Sequence, residues 1–218
     1  MPSLKLVIAN KAYSSWSLRP WILLTHFGVP FDEVVVPLDQ PDTRERLLEY
    51  SPTARAPVLI DGDTTVWDSL AIIEYLAELR PGLPVWPSEL PARALARSLS
   101  AEMHSGFQAL RQHCPTQFLR PVRAIPLPPE VAADVQRIEA AWSDARRRFG
   151  AGGPFLFGSF SAADAMFAPV VNRLHTYDIA IGEEARAYSE AVRALPAWKA
   201  WIAGAEAETW RIAKYEAI

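Results

Sequence analysis

Residues 80–91 read RPGLPVWPSELP, with four prolines and one glycine in a single short run. Proline lacks a backbone N–H, and inside a helix it costs about 3 kcal/mol. Neither a helix nor a central strand can pass through such a stretch, so the chain is divided there. Strand-like and helix-like patterns alternate before it, and only helix-like patterns follow it. The expected organisation is a mixed domain over residues 1–80, a linker over 81–91 and an all-helical domain over 92–218.

Residues 4–9 form an apolar run suited to a buried strand. Residues 21–27 read as a helix that stops at Gly28, and Pro20 places the helix start near Ser17. Residues 31–36 are a second strand and 42–49 a short polar helix. Residues 57–60 and 64–67 flank the turn Asp61-Gly62-Asp63 as a hairpin. Residues 69–79 close the segment as a helix, giving the order βαβαββα. Beyond the linker, helices are expected near 92–113, 129–149, 161–174, 183–194 and 196–204. The first two are joined by a loop over 115–129 that holds five prolines.

Half of the 218 residues are hydrophobic and 22% are charged, as expected for a chain that buries a core. A net charge of −3 offers no general attraction for nucleic acid or an anionic membrane. The basic run Arg146-Arg147-Arg148 sits at a helix end, where it complements the dipole. A lone cysteine, Cys114, excludes an internal disulfide framework and any paired-cysteine metal or redox site. The opening MPSLKLVIAN is too short an apolar run for a signal peptide. No stretch reaches the roughly 20 apolar residues needed to span a bilayer. A reduced, soluble, cytoplasmic protein without a metal is the expectation.

Four constellations carry chemistry or report on the fold. Tyr13-Ser14-Ser15-Trp16-Ser17 lies between the first strand and first helix, where a hydroxyl beside free N–H groups suits an anion. The same serines also serve as caps and turn residues. Arg55-Ala56-Pro57-Val58 opens a strand; a cis bond at Pro57 would expose the Val58 backbone to an extended peptide, and a trans proline would simply start an edge strand. Trp67-Asp68-Ser69 begins a helix, so it can hold a carboxylate and an ammonium group, or merely provide the cap. Ser161-Ala162-Ala163-Asp164 is a capping box before a buried helix. Its hydrophobic staple is poor, because the small Ala165 stands where Phe160 needs a partner.

In this order and spacing, the four elements resemble the cytosolic glutathione transferase family over essentially the whole chain. Ser14-Ser15-Trp16-Ser17 looks most like the zeta class, whose pattern is Ser-Ser-Cys-Ser followed by a basic helix start. Ser69-Leu70-Ala71-Ile72-Ile73-Glu74-Tyr75-Leu76 also looks like the zeta-class third helix. The resemblance implies an α/β thioredoxin-like domain followed by an all-α domain, a cis-proline at Pro57 and glutathione as co-substrate. It puts the γ-glutamyl end at Asp68 and Ser69 and pairs the cysteinyl part with the Val58 backbone, beside Ala56. Ser14 matches the catalytic serine, with Ser15 its nearest competitor. Arg55 is taken as the glycine-carboxylate partner on charge and proximity. A homodimer is also implied.

Two departures from the zeta pattern matter. Trp16 replaces its cysteine, which excludes mixed-disulfide chemistry at that position and makes Trp16 a wall of the thiol site. The arginine expected for isomerisation of maleylacetoacetate falls at Thr176, with Arg173 three residues earlier, which counts against that activity. For the second substrate, Met103, His104, Phe107 and Arg111 share one helical face, and Tyr13 and Trp16 face them from the other domain. Core packing is the alternative for Met103 and Phe107, and solvated polarity for His104 and Arg111. Such an aromatic pocket suits a small apolar electrophile. Conjugation of glutathione is the leading expectation. Isomerisation, dehalogenation and a non-catalytic interaction role on the same fold stand beside it.

Overall fold

Strand β1 (Leu4–Ile8) is apolar along most of its length because both faces of its sheet are covered. The computed structural model describes residues 4–217; the first three residues of the opening segment and Ile218 lie outside them. Helix α1 (Ser15–His26), strand β2 (Phe31–Val35), helix α2 (Thr43–Leu48), strands β3 (Val58–Asp61) and β4 (Thr64–Val66) and helix α3 (Ser69–Leu79) follow. This is the expected βαβαββα order. The sheet runs β2-β1-β3-β4, with β2 parallel to β1 and the other pairs antiparallel. Alternation along the strands sends Leu6, Ile8 and Leu59 into the main core, and Val7 and Val58 to the opposite face with Leu47 of α2.

The rest is helical: α4 (Leu90–Ser105), α5 (Gln108–His113), α6 (Pro129–Phe149), α7 (Ala162–Thr176), α8 (Glu183–Ala194), α9 (Pro196–Glu206) and α10 (Ala213–Glu216). Helix α7 is buried along nearly its whole length and packs against both α1 and α4, so it joins the two halves. Among the described residues, no helix is long and apolar enough to cross a membrane.

Three expectations are corrected. Helix α1 begins at Ser15, before the expected Ser17, with Pro20 inside it. The Ser14 cap secures the first turn, and the proline removes only one bond, that to the Trp16 carbonyl. The single helix expected over 92–113 is broken at Gly106 and Phe107, where Phe107 takes a left-handed conformation with φ 58°. Such a residue costs roughly 1–2 kcal/mol; in return its ring is buried. Helix α10 is a single turn, too short for any periodicity to reveal.

The expected capping box at the start of α7 is present. The Asp164 carboxylate accepts hydrogen bonds from Ser161 N (2.9 Å), Ser161 Oγ (2.9 Å) and Leu156 N (3.0 Å). Phe160 makes no staple; its ring lies 4.3 Å from His26 and 6.3 Å from Phe27 at the end of α1. Burial raises the Asp164 carboxyl from 3.8 to about 6, against hydrogen bonds that lower it. A value raised in the folded state means that its stabilising contribution is full below about pH 4 and is lost as pH rises through about 6. Asp164→Asn cannot ionise, and it turns an amide donor towards an N–H, so it should lower stability by about 1–3 kcal/mol. Urea unfolding should find the gap to the parent protein wider at about pH 5 than at about pH 7.5.

Candidate active site

The loop between β1 and α1 is a turn closed on Asn10, whose carbonyl accepts from Tyr13 N (3.2 Å) and Ser14 N (2.9 Å). Ser14 is the N-cap of α1: its hydroxyl accepts from Ser17 N (3.3 Å) and donates to Ser17 Oγ (2.9 Å). Ser17 Oγ in turn accepts from Ala9 N (3.0 Å), which ties the cap to the end of β1. Ser15 opens the helix, is buried at 7% exposure, and has no hydrogen bond to its hydroxyl among the described residues. Two hydroxyls therefore stand at a helix N-terminus, where partial positive charge favours an anion.

The second element is the strand edge at β3. The Ala56–Pro57 peptide is cis. Val58 pairs with Val7 of β1, but on the other side the β3–β4 ladder ends at Leu59 opposite Val66. Val58 thus lies one residue past the last pair on that edge. Arg55 is exposed beside it, with no ion pair among the described residues, and Ala56 packs against the smaller core cluster.

The third element is the start of α3. Asp68 is its N-cap, accepting from Leu70 N (3.0 Å), and its other oxygen lies 3.0 Å from His104 Nε2. Ser69 is fully buried, and its hydroxyl accepts from Arg19 Nη1 at 3.5 Å. Arg19 lies further along α1, one residue before Pro20. It has no exposure, and its Nε and Nη2 have no hydrogen-bond partner among the described residues. Its guanidinium lies 4.2 Å from the Trp16 ring, and that of Arg111 lies 5.1 Å from the same ring. Burial first, then Arg111 and Arg173, hold the Arg19 pKa well down, with Asp68 opposing them. No carboxylate among the described residues forms an ion pair with it, and a buried cation with unused donors is suited to an anion. Its sequence signal was the spacing of Trp16 and Arg19, three apart on one helical face.

The residues expected to line the second pocket divide. His104 meets Trp16 edge-on at 5.1 Å. Met103 has no exposure and packs in the helical core. Arg111 folds back to donate to the carbonyls of Met103, His104 and Gly106, with Nε 2.8 Å from Gly106 O, thereby capping the broken end of α4. Because the helix breaks at Phe107, these residues do not share the single face expected of them. Tyr13 lies under the C-terminal segment: its hydroxyl donates to Glu216 (2.6 Å), accepts from Ile212 N (3.3 Å), and its ring meets Tyr215 at 5.9 Å. Cys114 is buried, and burial pushes its thiol up to about 11.

The glutathione S-transferase N-terminal domain signature matches residues 13–79, and the C-terminal domain signature matches residues 128–204. A probable maleylacetoacetate isomerase of Caenorhabditis elegans is 34% identical over 110 residues, which is 50% of this chain and 51% of that protein. Glutathione S-transferase Z2 of Arabidopsis thaliana is 34% identical over 105 residues, 45% of this chain and 46% of that protein. A dichloromethane dehalogenase of Methylophilus leisingeri is 44% identical over 56 residues, 23% of this chain and 20% of that protein. The chain spans about half, or less, of the length of these curated relatives. A glutathione transferase homologue from Burkholderia, solved with bound glutathione, superposes with a TM-score of 0.71 at 24% identity, covering 94% of this chain and 100% of that one. A Tau class enzyme from mango gives 0.69 at 21% identity, covering 94% and 96%. These two structures share the fold.

Ser17 supplies the oxygen that serves both Ala9 N and the Ser14 hydroxyl. Ser17→Ala should leave a buried N–H unpaired and lower stability by about 1–3 kcal/mol, read as a shift in the urea midpoint. Ser15→Ala, which breaks no hydrogen bond seen here, should shift it by less than about 0.5 kcal/mol.

Proposed function

The chain belongs to the cytosolic glutathione transferase family, and on that premise we propose that it binds glutathione, stabilises its thiolate with a serine hydroxyl and adds it to an electrophilic carbon. The observation that carries this reading is Arg19 of α1, which donates to Ser69 at the start of α3 and has two further nitrogens without a hydrogen-bond partner among the described residues. Each part of the tripeptide then has a partner of fitting chemistry. The γ-glutamyl carboxylate meets the α3 N-terminus and the unused donors of Arg19, and its ammonium meets Asp68. The cysteinyl backbone pairs with Val58 beyond the end of the β3–β4 ladder. Arg55, exposed and unpaired, takes the glycine carboxylate.

Thiolate stabilisation follows from magnitudes. A free thiol with a pKa of about 8.5 is only a few per cent ionised at neutral pH. A hydrogen bond to a charged group contributes roughly 1.5–3 kcal/mol, which is about one to two pKa units. One hydroxyl is therefore enough to make thiolate a major species. Ser14 can turn its proton from Ser17 Oγ to the sulfur while its lone pair keeps accepting from Ser17 N. It acts as an anion stabiliser and needs no base. Trp16 and His104 wall the sulfur on the side where the electrophile approaches.

A second reading assigns the donor to Ser15, whose hydroxyl is free of partners. The two are separated by following the ultraviolet absorbance of bound thiolate against pH. Ser14→Ala should raise the midpoint by about one to two units, with glutathione affinity changed less than tenfold. A shift in Ser15→Ala alone would exchange the roles. No shift in either would end the serine reading. Retention on immobilised glutathione tests the other class, a non-catalytic interaction protein. A panel of chloroarenes, haloacids and unsaturated ketones separates conjugation from dehalogenation or isomerisation. The expected homodimer is checked by sedimentation.

Arg19 gives a test with two opposite signs. Arg19→Met removes a buried charge with no carboxylate partner, so it should leave the free protein as stable or more stable. It should weaken glutathione binding by roughly ten- to a hundredfold. A loss of stability with unchanged affinity would make Arg19 a structural residue only.

A further inference from the structure

Every backbone N–H in the turn before Ser14 has to find a partner, because the loop is buried. Asn10 O takes the N–H groups of Tyr13 and Ser14, which leaves those of Lys11 and Ala12 without a partner inside the loop. Both are taken by one side chain from the far end of the chain: Glu208 Oε1 accepts from Lys11 N (2.6 Å) and Oε2 from Ala12 N (3.1 Å). A carboxylate suits this task because it presents two acceptor oxygens in one plane, whereas an amide presents one oxygen and a donor. The contact is not a chance approach of a surface residue. Glu208 is only 9% exposed. Gly204, at the end of α9, lies so close to the same loop that an added Cβ would stand 2.7 Å from Lys11 Cδ. Phe118 N donates to Ala12 O (2.9 Å), and Glu216 and Ile212 hold the Tyr13 hydroxyl. Lys11, Ala12 and Tyr13 are thus each held by the helical half, and the next residue is Ser14.

We propose that Glu208 is a positioning residue for the thiol-stabilising hydroxyl, acting through the Lys11 and Ala12 backbone to fix where Ser14 stands. This rests on the glutathione transferase reading above. The carboxylate also faces the Lys11 ammonium, which forms an ion pair with Glu33, and Glu33 in turn accepts from Trp21 Nε1 at 2.5 Å. Burial raises the Glu208 carboxyl, while the two N–H groups and Lys11 pull it back. The Lys11 ammonium lies over the Trp21 and Trp201 rings, 5.4 Å and 5.9 Å from their centroids.

The charge and the position of Glu208 predict opposite signs, which makes the proposal testable. If the carboxylate influenced a bound thiolate only through its negative charge, Glu208→Gln would make ionisation easier and lower the thiolate midpoint, and Glu208→Asp, which keeps the charge, would leave it unmoved. If the carboxylate holds the loop, both variants loosen it and both raise the midpoint. We expect a rise of about half a unit or more for each, a fall in kcat with KM for glutathione changed less than threefold, and faster hydrogen exchange at Lys11 and Ala12. The measurements use the full-length chain, with circular dichroism confirming that each variant is folded; Glu208→Asp serves if Glu208→Gln is not. A midpoint that falls or stays constant in the folded variants overturns the proposal. Ser14→Ala is measured alongside: if it fails to move the midpoint, the serine reading has failed; if it does and the Glu208 variants do not, only the clamp has failed.

Discussion

Helix α7 has no face turned to solvent, and the rest of the molecule is arranged around that constraint. A helix buried along its length cannot send its free N-terminal N–H groups to water, so they are met by groups from its own chain. The Asp164 carboxylate answers this by gathering the backbone and hydroxyl of Ser161 and the N–H of Leu156 into one capping network. With its entry fixed, α7 presents small and apolar side chains to α1 on one side and α4 on another. The orientation of α1, and so of the serine loop at its start, is set by packing against a helix from the other half.

Two different demands meet at the start of α1. Stability asks that buried polar groups be paired, and the loop meets this demand through Asn10, Ser17 and Glu208. Binding an anion asks for donors that are left unused, and Arg19 keeps two of them in the interior. A desolvated guanidinium with no carboxylate is unfavourable by itself. Beside Ser69 and over the Trp16 ring, it is a place where the fold bears a cost in stability. Strain and unpaired charge tend to collect at sites of this kind.

The element order was readable because each element has a local cause. Prolines end helices, β-branched runs alternate into strands, and Ser161 with Asp164 announces a helix start. The serine loop, Ala56-Pro57 and Asp68-Ser69 each open an element: Ser14 caps α1, the Ala56–Pro57 peptide is cis just before β3, and Asp68 caps α3. What failed was reasoning that carried a local rule across a break. The spacing of Met103, His104, Phe107 and Arg111 assumes one continuous helix. The left-handed Phe107 interrupts it, Met103 goes into the core, and Arg111 turns back to serve the carbonyls that the break exposes. Gly106 is a local stop signal at that break, and an added Cβ there would stand 2.8 Å from Glu102 O.

By itself, the sequence determined the βαβαββα order and the helical second half. These depend on backbone sterics and short-range hydrogen bonding, which act over a few residues. Only the tertiary structure decided that Arg19 is a buried cation with two nitrogens unpartnered among the described residues, that Tyr13 is covered by the segment around Tyr215, and that Glu208 accepts from the loop before Ser14. Those outcomes join residues up to 203 positions apart, such as Tyr13 and Glu216. Their cause is desolvation: once packing removes water, each polar group must use whatever partner the fold brings beside it, and no spacing in the chain records which one that is.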